Sequence, residues 1–171
     1  MHIVLVAPEI PQNTGNIART CAATGAMLHL VKPLGFSLSD RYLKRAGLDY
    51  WHMMDYRVYE DFKSFLVEQN PKRMHFATAR AARNYAEVSY GPEDYLVFGC
   101  ESKGLPQELV EREYENCIRI PMRQGARSLN LSNSVAVVLY EALRQQGFPD
   151  LWAEGKLIND PKEPAPWMDY L

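Results

Sequence analysis

Four hydrogen-bonding side chains, Ser128, Asn130, Ser132 and Asn133, crowd the stretch between an apolar run ending at Ile120 and an apolar helical pattern opening at Leu131. The order reads as a buried strand, a polar loop and a helix over residues 131–146. A helix start leaves a few N–H donors to satisfy and needs fewer acceptors than this. The surplus suits a polar ligand, because α/β proteins bind ligands between strand ends and helix starts. Ser132 is the expected helix cap. Two further stretches follow apolar runs in the same way: Asn13, Asn16 and Arg19 after the first, and Glu101 with Lys103 inside Gly99-Cys-Glu-Ser-Lys-Gly-Leu-Pro106. Taken singly, Arg19 reads as a solvent-facing arginine and Glu101 as a surface partner of Lys103.

Strands are predicted at residues 2–7, 27–31, 56–59, 74–78, 95–98 and 117–120, each a short β-branched, aliphatic or aromatic run. Helices are predicted at 16–24, closed by Gly25, and at 61–69, with Phe62, Phe65 and Leu66 on one face and Asn70-Pro71 ending it. Another starts near Pro106, which suits a first turn, and Ser39 is expected to cap a short helix carrying Arg41 to Arg45. Residues 8–15 read as a loop because two prolines and a glycine interrupt them. In the last helix Val135, Val138, Leu139, Ala142 and Leu143 recur on one face, and Gly147 and Pro149 stop it. Alternating strands and helices predict an α/β fold with a mostly parallel sheet and flanking helices. Residues 1–150 form one expected domain. Residues 151–171, with Pro161, Pro164 and Pro166, read as an irregular tail that Trp152, Trp167 and Tyr170 could pin to the body.

Several α/β chemistries are excluded. The first loop lacks G-x-G-x-x-G, no P-loop is present, and no G-x-S-x-G elbow marks a hydrolase. Cys21, Cys100 and Cys117 have no metal-ligand spacing, so no metal is expected, and scattered thiols suit a reducing cytoplasm. No apolar run nears the ~18 residues of a membrane span, and Met1-His-Ile-Val-Leu-Val-Ala-Pro8 lacks the basic start of a signal peptide. Net charge is −2 and the isoelectric point about 6.1, so any nucleic acid must be held by local patches. The candidates are Arg41–Arg45, Arg80 with Arg83, and Arg119 through Arg127; each reads equally as a solvated face.

Pro11-Gln-Asn-Thr-Gly-Asn-Ile-Ala-Arg19, Leu96-Val-Phe-Gly-Cys-Glu-Ser-Lys-Gly-Leu-Pro106, and Ile118-Arg-Ile-Pro-Met122 with Ser128-Leu-Asn-Leu-Ser-Asn133 occur in order and without large insertions. Together they resemble the SPOUT class of RNA methyltransferases, in its 2'-O-ribose branch, over residues 2–147. The resemblance is nearest to the tRNA (cytidine/uridine-34) 2'-O-methyltransferases, which act on the wobble nucleotide, and Arg45-Ala-Gly-Leu-Asp-Tyr50 resembles that subgroup too. It implies a C-terminal trefoil knot, S-adenosyl-L-methionine as methyl donor, an obligate homodimer and the tRNA anticodon stem-loop as partner. A SPOUT enzyme for another tRNA position or for ribosomal RNA, and a non-catalytic RNA-binding SPOUT domain, are the competing readings.

The resemblance also implies roles. Ala77, Gly99, Ile120, Met122, Ser128 and Leu129 would hold the cofactor, largely through backbone groups, with Ile120 and Leu129 forming an apolar slot and Gly99 letting backbone approach closely. Asn130 would orient the target ribose. Arg19 would act on the 2'-hydroxyl; a guanidinium with a pKa above ~12 is a better clamp than base. Asn13 would support that site. Glu101 would hold Arg19 and Asn130 in register, its charge suiting the donor's sulfonium. Tyr140 is expected at a dimer seam, on the RNA or in the core.

Overall fold

Unbroken apolar character at residues 3–6 has a direct cause: both faces of this strand are covered. In a computed structural model the chain is described over residues 1–38, 55–152 and 154–155. Six strands form one sheet: β1 (His2–Val6), β2 (Met27–Val31), β3 (Tyr56–Tyr59), β4 (Met74–Ala77), β5 (Tyr95–Phe98) and β6 (Cys117–Ile118). Their order is β3-β2-β1-β5-β4-β6, and every neighbouring pair is parallel. His2 of β1 is in register with Met27 on one side and Tyr95 on the other.

Successive side chains of β1 point to opposite faces. Ile3 and Leu5 pack with Ile17 and Cys21 of α1 (Pro11–Thr24) and with Val135 and Leu139 of α4 (Leu131–Gln145). Val4 and Val6 face Phe65 of α2 (Phe62–Gln69) and Leu109 and Val110 of α3 (Gln107–Arg112). Ile3, Val4 and Leu5 are wholly buried, each worth roughly 1.5–3 kcal/mol of apolar transfer. The five α4 positions picked out by their helical period are all buried. Asp61 caps α2 by accepting from the Ser64 amide at 2.7 Å, and Gly25, at φ +71°, closes α1 in the left-handed region.

From β1 the chain steps outward to β2 and β3, then crosses to the other side to lay down β4, β5 and β6. The carboxyl ends of β1 and β5 therefore lie side by side while the connections leaving them diverge. That divergence is the crevice where open α/β sheets bind ligands.

Three expectations need correction. Helix α1 begins at Pro11 rather than Asn16, because proline's fixed φ suits a first helical turn, so Asn13 lies on the helix. Strand β6 stops at Ile118; beyond it only Arg119 pairs, its amide donating to the Arg83 carbonyl and its carbonyl accepting from the Tyr85 amide. Trp152 is 86% exposed and pins nothing. The expected helix at 39–45, the 45–50 motif, and Trp167 and Tyr170 lie outside the described residues.

Candidate active site at the carboxyl ends of the strands

A cavity of about 450 Å³ opens at the carboxyl ends of β5, β4 and β6 and against the start of α1, a size suited to a small-molecule or cofactor site. Ala77, Gly99, Ile120, Met122, Ser128 and Leu129 all line it, as do Asn13, Glu101 and Asn130. Phe98, Leu105, Ile118, Leu131 and Val138 supply further apolar wall, and Thr78 to Arg80 form a side. Arg19 does not line it. It sits on the exposed side of α1, six residues and ~9 Å of helix rise beyond Asn13.

The N-terminus of α1 explains the position of Glu101. Ile10 stands at the N-cap and brings no capping side chain. Glu101 does this work from the β5 loop: its carboxylate accepts from the Glu9 amide at 2.8 Å and the Ile10 amide at 3.2 Å. The same carboxylate accepts from the Asn13 side-chain amide at 2.8 Å, so it is turned into the molecule rather than towards Lys103. A negative group at a helix N-terminus is also favoured by the helix dipole.

Asn13, 5% exposed, passes the connection on. Its Oδ1 accepts from the Asn130 Nδ2 at 2.9 Å. Asn130 Oδ1 in turn accepts from the Ser132 amide at 2.9 Å, the Ser132 hydroxyl at 2.7 Å and the Asn133 amide at 3.4 Å. Asn130, not Ser132, is therefore the cap of α4: it occupies the N-cap position, and the Ser132 hydroxyl donates to it. The three stretches flagged in the sequence meet as one relay, Glu101–Asn13–Asn130–α4. Asn13 and Asn130 each keep one side-chain N–H beyond these bonds, because a primary amide carries two. Glu101 is joined to Asn13, and through it to Asn130, rather than to Arg19.

Two partners in this arrangement escaped the sequence reading. Glu9 accepts from the Ser102 amide at 3.0 Å and the Ser102 hydroxyl at 2.7 Å, while its own amide donates to Glu101. The β1 and β5 loops are thus clamped reciprocally. The Ser102 hydrogen bonds, with Lys103 nearby, hold the Glu9 carboxyl below the usual carboxylate range. The one sequence signal for Glu9 is its place just after the end of β1.

The close backbone approach expected at Gly99 is present, and it is made by the chain itself. A Cβ there would stand 2.0 Å from the Gly104 carbonyl carbon and 2.1 Å from the Leu105 nitrogen. The backbone that approaches it is the chain's own, returning in the Cys100–Gly104 turn, whose Gly104 amide donates to the Cys100 carbonyl at 2.9 Å. Tyr140 is 46% exposed and outside the core, and Val137 beside it on α4 is 36% exposed.

Residues 1–140 match the model of the SpoU rRNA Methylase family. The chain belongs to that family. A tRNA (cytidine(34)-2'-O)-methyltransferase of Burkholderia ambifaria is 50% identical over 150 residues, covering 86% of this chain and 96% of the relative. A solved structure described as giving structural insights into the 2-OH methylation of C/U34 on tRNA superposes with a TM-score of 0.80. It is 48% identical, with 85% of this chain and 95% of that chain covered. A more distant member, the AdoMet-bound rRNA methyltransferase of Sinorhizobium meliloti, gives a TM-score of 0.69 at 26% identity, over 84% of this chain and 55% of its own. The family's α/β architecture with a parallel sheet is the fold described above. No helix among the described residues is long and apolar enough to cross a membrane.

Proposed function

We propose that this protein is a cytoplasmic S-adenosyl-L-methionine-dependent methyltransferase that acts on the ribose 2'-hydroxyl of nucleotide 34, a cytidine or uridine, in tRNA. The relay from Glu101 through Asn13 to Asn130 at one cavity carries this reading. It joins all three motif segments at the edge of a cofactor-sized space, in a chain half identical to relatives named for that reaction.

The residues present fit the cofactor. Ile118, Ile120, Leu129, Leu131 and Val138 make an apolar wall for an adenine ring, and the exposed 128–130 loop offers backbone donors and acceptors to its edge. Ala77, Gly99 and Met122 complete the enclosure. Glu101 places a negative charge on the same cavity. The bound cofactor supplies an activated methyl group on a positive sulfonium, and its departure as a neutral thioether makes transfer favourable.

What the protein supplies is alignment. Asn130, held by Asn13 on one side and by its own cap on the other, directs its remaining N–H towards the ribose. Asn13 and Glu101 fix that direction. Arg19 orients the 2'-hydroxyl or its neighbouring phosphate with a fork of donors. Because Arg19 lies outside the cavity of its own chain, we assign it to the cavity of a second copy. The protein then acts as a homodimer, with exposed Val137 and Tyr140 of α4 facing the seam. The segment from Ile120 to Asn133 makes the last pass of the C-terminal trefoil knot expected for this class. Residues 1–150 act as one domain.

Calorimetric titration with S-adenosylhomocysteine tests the site. Arg19→Ala is expected to leave that binding near normal and abolish methyl transfer to tRNA. A protein that binds neither donor nor product is not this enzyme, and an active Arg19→Ala variant removes Arg19 from the mechanism.

A further inference from the structure

The chain carries a net charge of −2, yet four of its described arginines without a carboxylate partner lie together, with Arg57 of the edge strand β3 standing apart from them at the other end of the sheet. Among the described residues, Arg73, Arg83, Arg112 and Arg144 each have a carboxylate within reach: Asp94 at 3.5 Å, Glu115 at 4.0 Å, Glu113 at 3.1 Å and Glu141 at 2.8 Å. Arg80, Arg119, Arg123 and Arg127 have no such partner among the described residues. Arg80 and Arg119 line the cavity, at the carboxyl ends of β4 and β6. Arg123 and Arg127 are exposed on the segment that runs from β6 over to α4.

Like charges left without carboxylates around one opening repel each other unless an anion joins them. A guanidinium presents paired donors suited to phosphate. One carboxylate, such as an amino-acid ligand carries, does not need four guanidiniums. Two of these four stand outside the cavity, where such a ligand would not reach. A chain of phosphates spaced along a nucleic acid backbone matches both the number and the spread.

Building on the reading of the site as an RNA ribose methyltransferase, we infer that Arg80 and Arg119 clamp the phosphate flanking the target nucleotide, while Arg123 and Arg127 carry the backbone onward. These are positioning contacts to phosphate, which fix the register of the RNA without reading its bases. Arg83, though adjacent in sequence to this group, is set apart by Glu115 and contributes less. Glu101, on the opposite loop, is engaged by two backbone amides and Asn13, so it does not cancel the arginines.

The test is the affinity of the full-length protein for a fluorescently labelled tRNA transcript across a series of salt concentrations. Wild type is compared with Arg80→Ala, Arg119→Ala, the double variant, Arg80→Lys and a control, Arg112→Ala. Each neutralised phosphate contact contributes about 0.7 to the slope of log affinity against log salt for single-stranded RNA. Arg80→Ala and Arg119→Ala are each expected to lower the slope by about that much, and the double variant by about twice it. Arg80→Lys and Arg112→Ala keep the wild-type slope, and S-adenosylhomocysteine binding is unchanged throughout. Unchanged slopes in both alanine variants overturn the inference. So does a loss of S-adenosylhomocysteine binding with slopes intact, which gives the arginines to the cofactor's carboxylate. Melting curves identify any variant that fails to fold, and Arg80→Gln and Arg119→Gln, which remove the charge but keep a polar side chain of similar length, then carry the comparison with wild type. If wild type transfers no methyl group yet the slopes fall as expected, the enzymatic reading fails and the phosphate assignment stands. If it transfers methyl and the slopes do not fall, the reverse holds.

Discussion

Replacing Asn13 by aspartate changes one nitrogen for one oxygen, and the structure says this should be worse than deleting the side chain. Asn13→Ala removes a hydrogen bond to a carboxylate at 2.8 Å and one from Asn130 at 2.9 Å. Bonds to charged groups are worth about 1.5–3 kcal/mol and neutral ones about 1. Glu101 keeps the Glu9 and Ile10 amides, water reaches exposed Asn130, and alanine is the better helix former by a few tenths of a kcal/mol, so the net loss should be about 1–2 kcal/mol. For a chain of this size that is a fall of roughly 2–8 °C in melting temperature. Asn13→Asp instead sets a second carboxylate against Glu101 where a donor had been. Two unit charges near 4 Å interact by about 4 kcal/mol at an effective dielectric of 20; Glu101 is only partly buried, so about 2 kcal/mol beyond Asn13→Ala is the expected cost. The pair would be forced to share a proton, raising its titration in the folded state above that of the unfolded chain. The penalty is then full at neutral pH and disappears as pH falls below the ordinary carboxylate range of about 4. Denaturant titrations of the three proteins between about pH 4 and 7.5 read this directly. Equal stability of Asn13→Asp and Asn13→Ala at neutral pH, with no convergence on acidification, would refute the relay as the element holding the three segments together.

Gly99→Ala drives a methyl into the Gly104–Leu105 backbone, which cannot yield as a flexible side chain would. A loss of more than about 4 kcal/mol or failure to fold is expected, while Gly155→Ala, with open space around it, should melt like wild type. His29 is wholly buried, its Nδ1 2.8 Å from the Tyr59 hydroxyl and its Nε2 3.1 Å from His2. Burial, then the neighbouring His2 and Arg57, pushes its pKa down to about 3. Its neutral form is therefore a condition of folding: stability is full above the unfolded value of about 6.5 and drains at up to ~1.4 kcal/mol per pH unit as pH falls towards 3. The acid-side stability curve of His29→Phe should be flatter than that of wild type over this window, and parallel curves would contradict the assignment. Finally, Arg19→Ala and Glu101→Gln should each be inactive alone, yet regain measurable methyl transfer when unfolded and refolded together. That follows if one subunit supplies Arg19 and the other the cavity; a mixture as dead as its components would place both residues on one chain's site.

How far the sequence carried this picture depended on whether a signal was local. The α4 face was legible because Val135, Val138, Leu139, Ala142 and Leu143 repeat at the helical period, and β1 because a strand covered on both faces is apolar throughout. The start of α1 was misread because proline and glycine between residues 8 and 15 look like breakers, although proline at a first turn is well placed. The cap of α1 is supplied by Glu101, some ninety residues away, and nothing in the local pattern announces an acceptor from another loop. Asn130 and Ser132 are equally good caps by type, and only the geometry decides that the asparagine accepts while the serine donates to it. Gly99 was singled out for close backbone approach, but the sequence does not say that the approaching backbone is residues 104–105 of the same chain. The six residues expected to hold the cofactor were brought together by motif resemblance; periodicity alone would have placed Ile120 at the end of a strand.

The proposed reaction takes place at one atom of one nucleotide. It is tested most directly by incubating the purified protein with unmodified tRNA and methyl-labelled S-adenosyl-L-methionine, followed by nuclease mapping and nucleoside mass spectrometry. Label is expected as 2'-O-methylcytidine or 2'-O-methyluridine at position 34, lost in Asn130→Ala and Arg19→Ala. Label at another nucleotide or on a base, or no label from a protein that binds the donor, would contradict it.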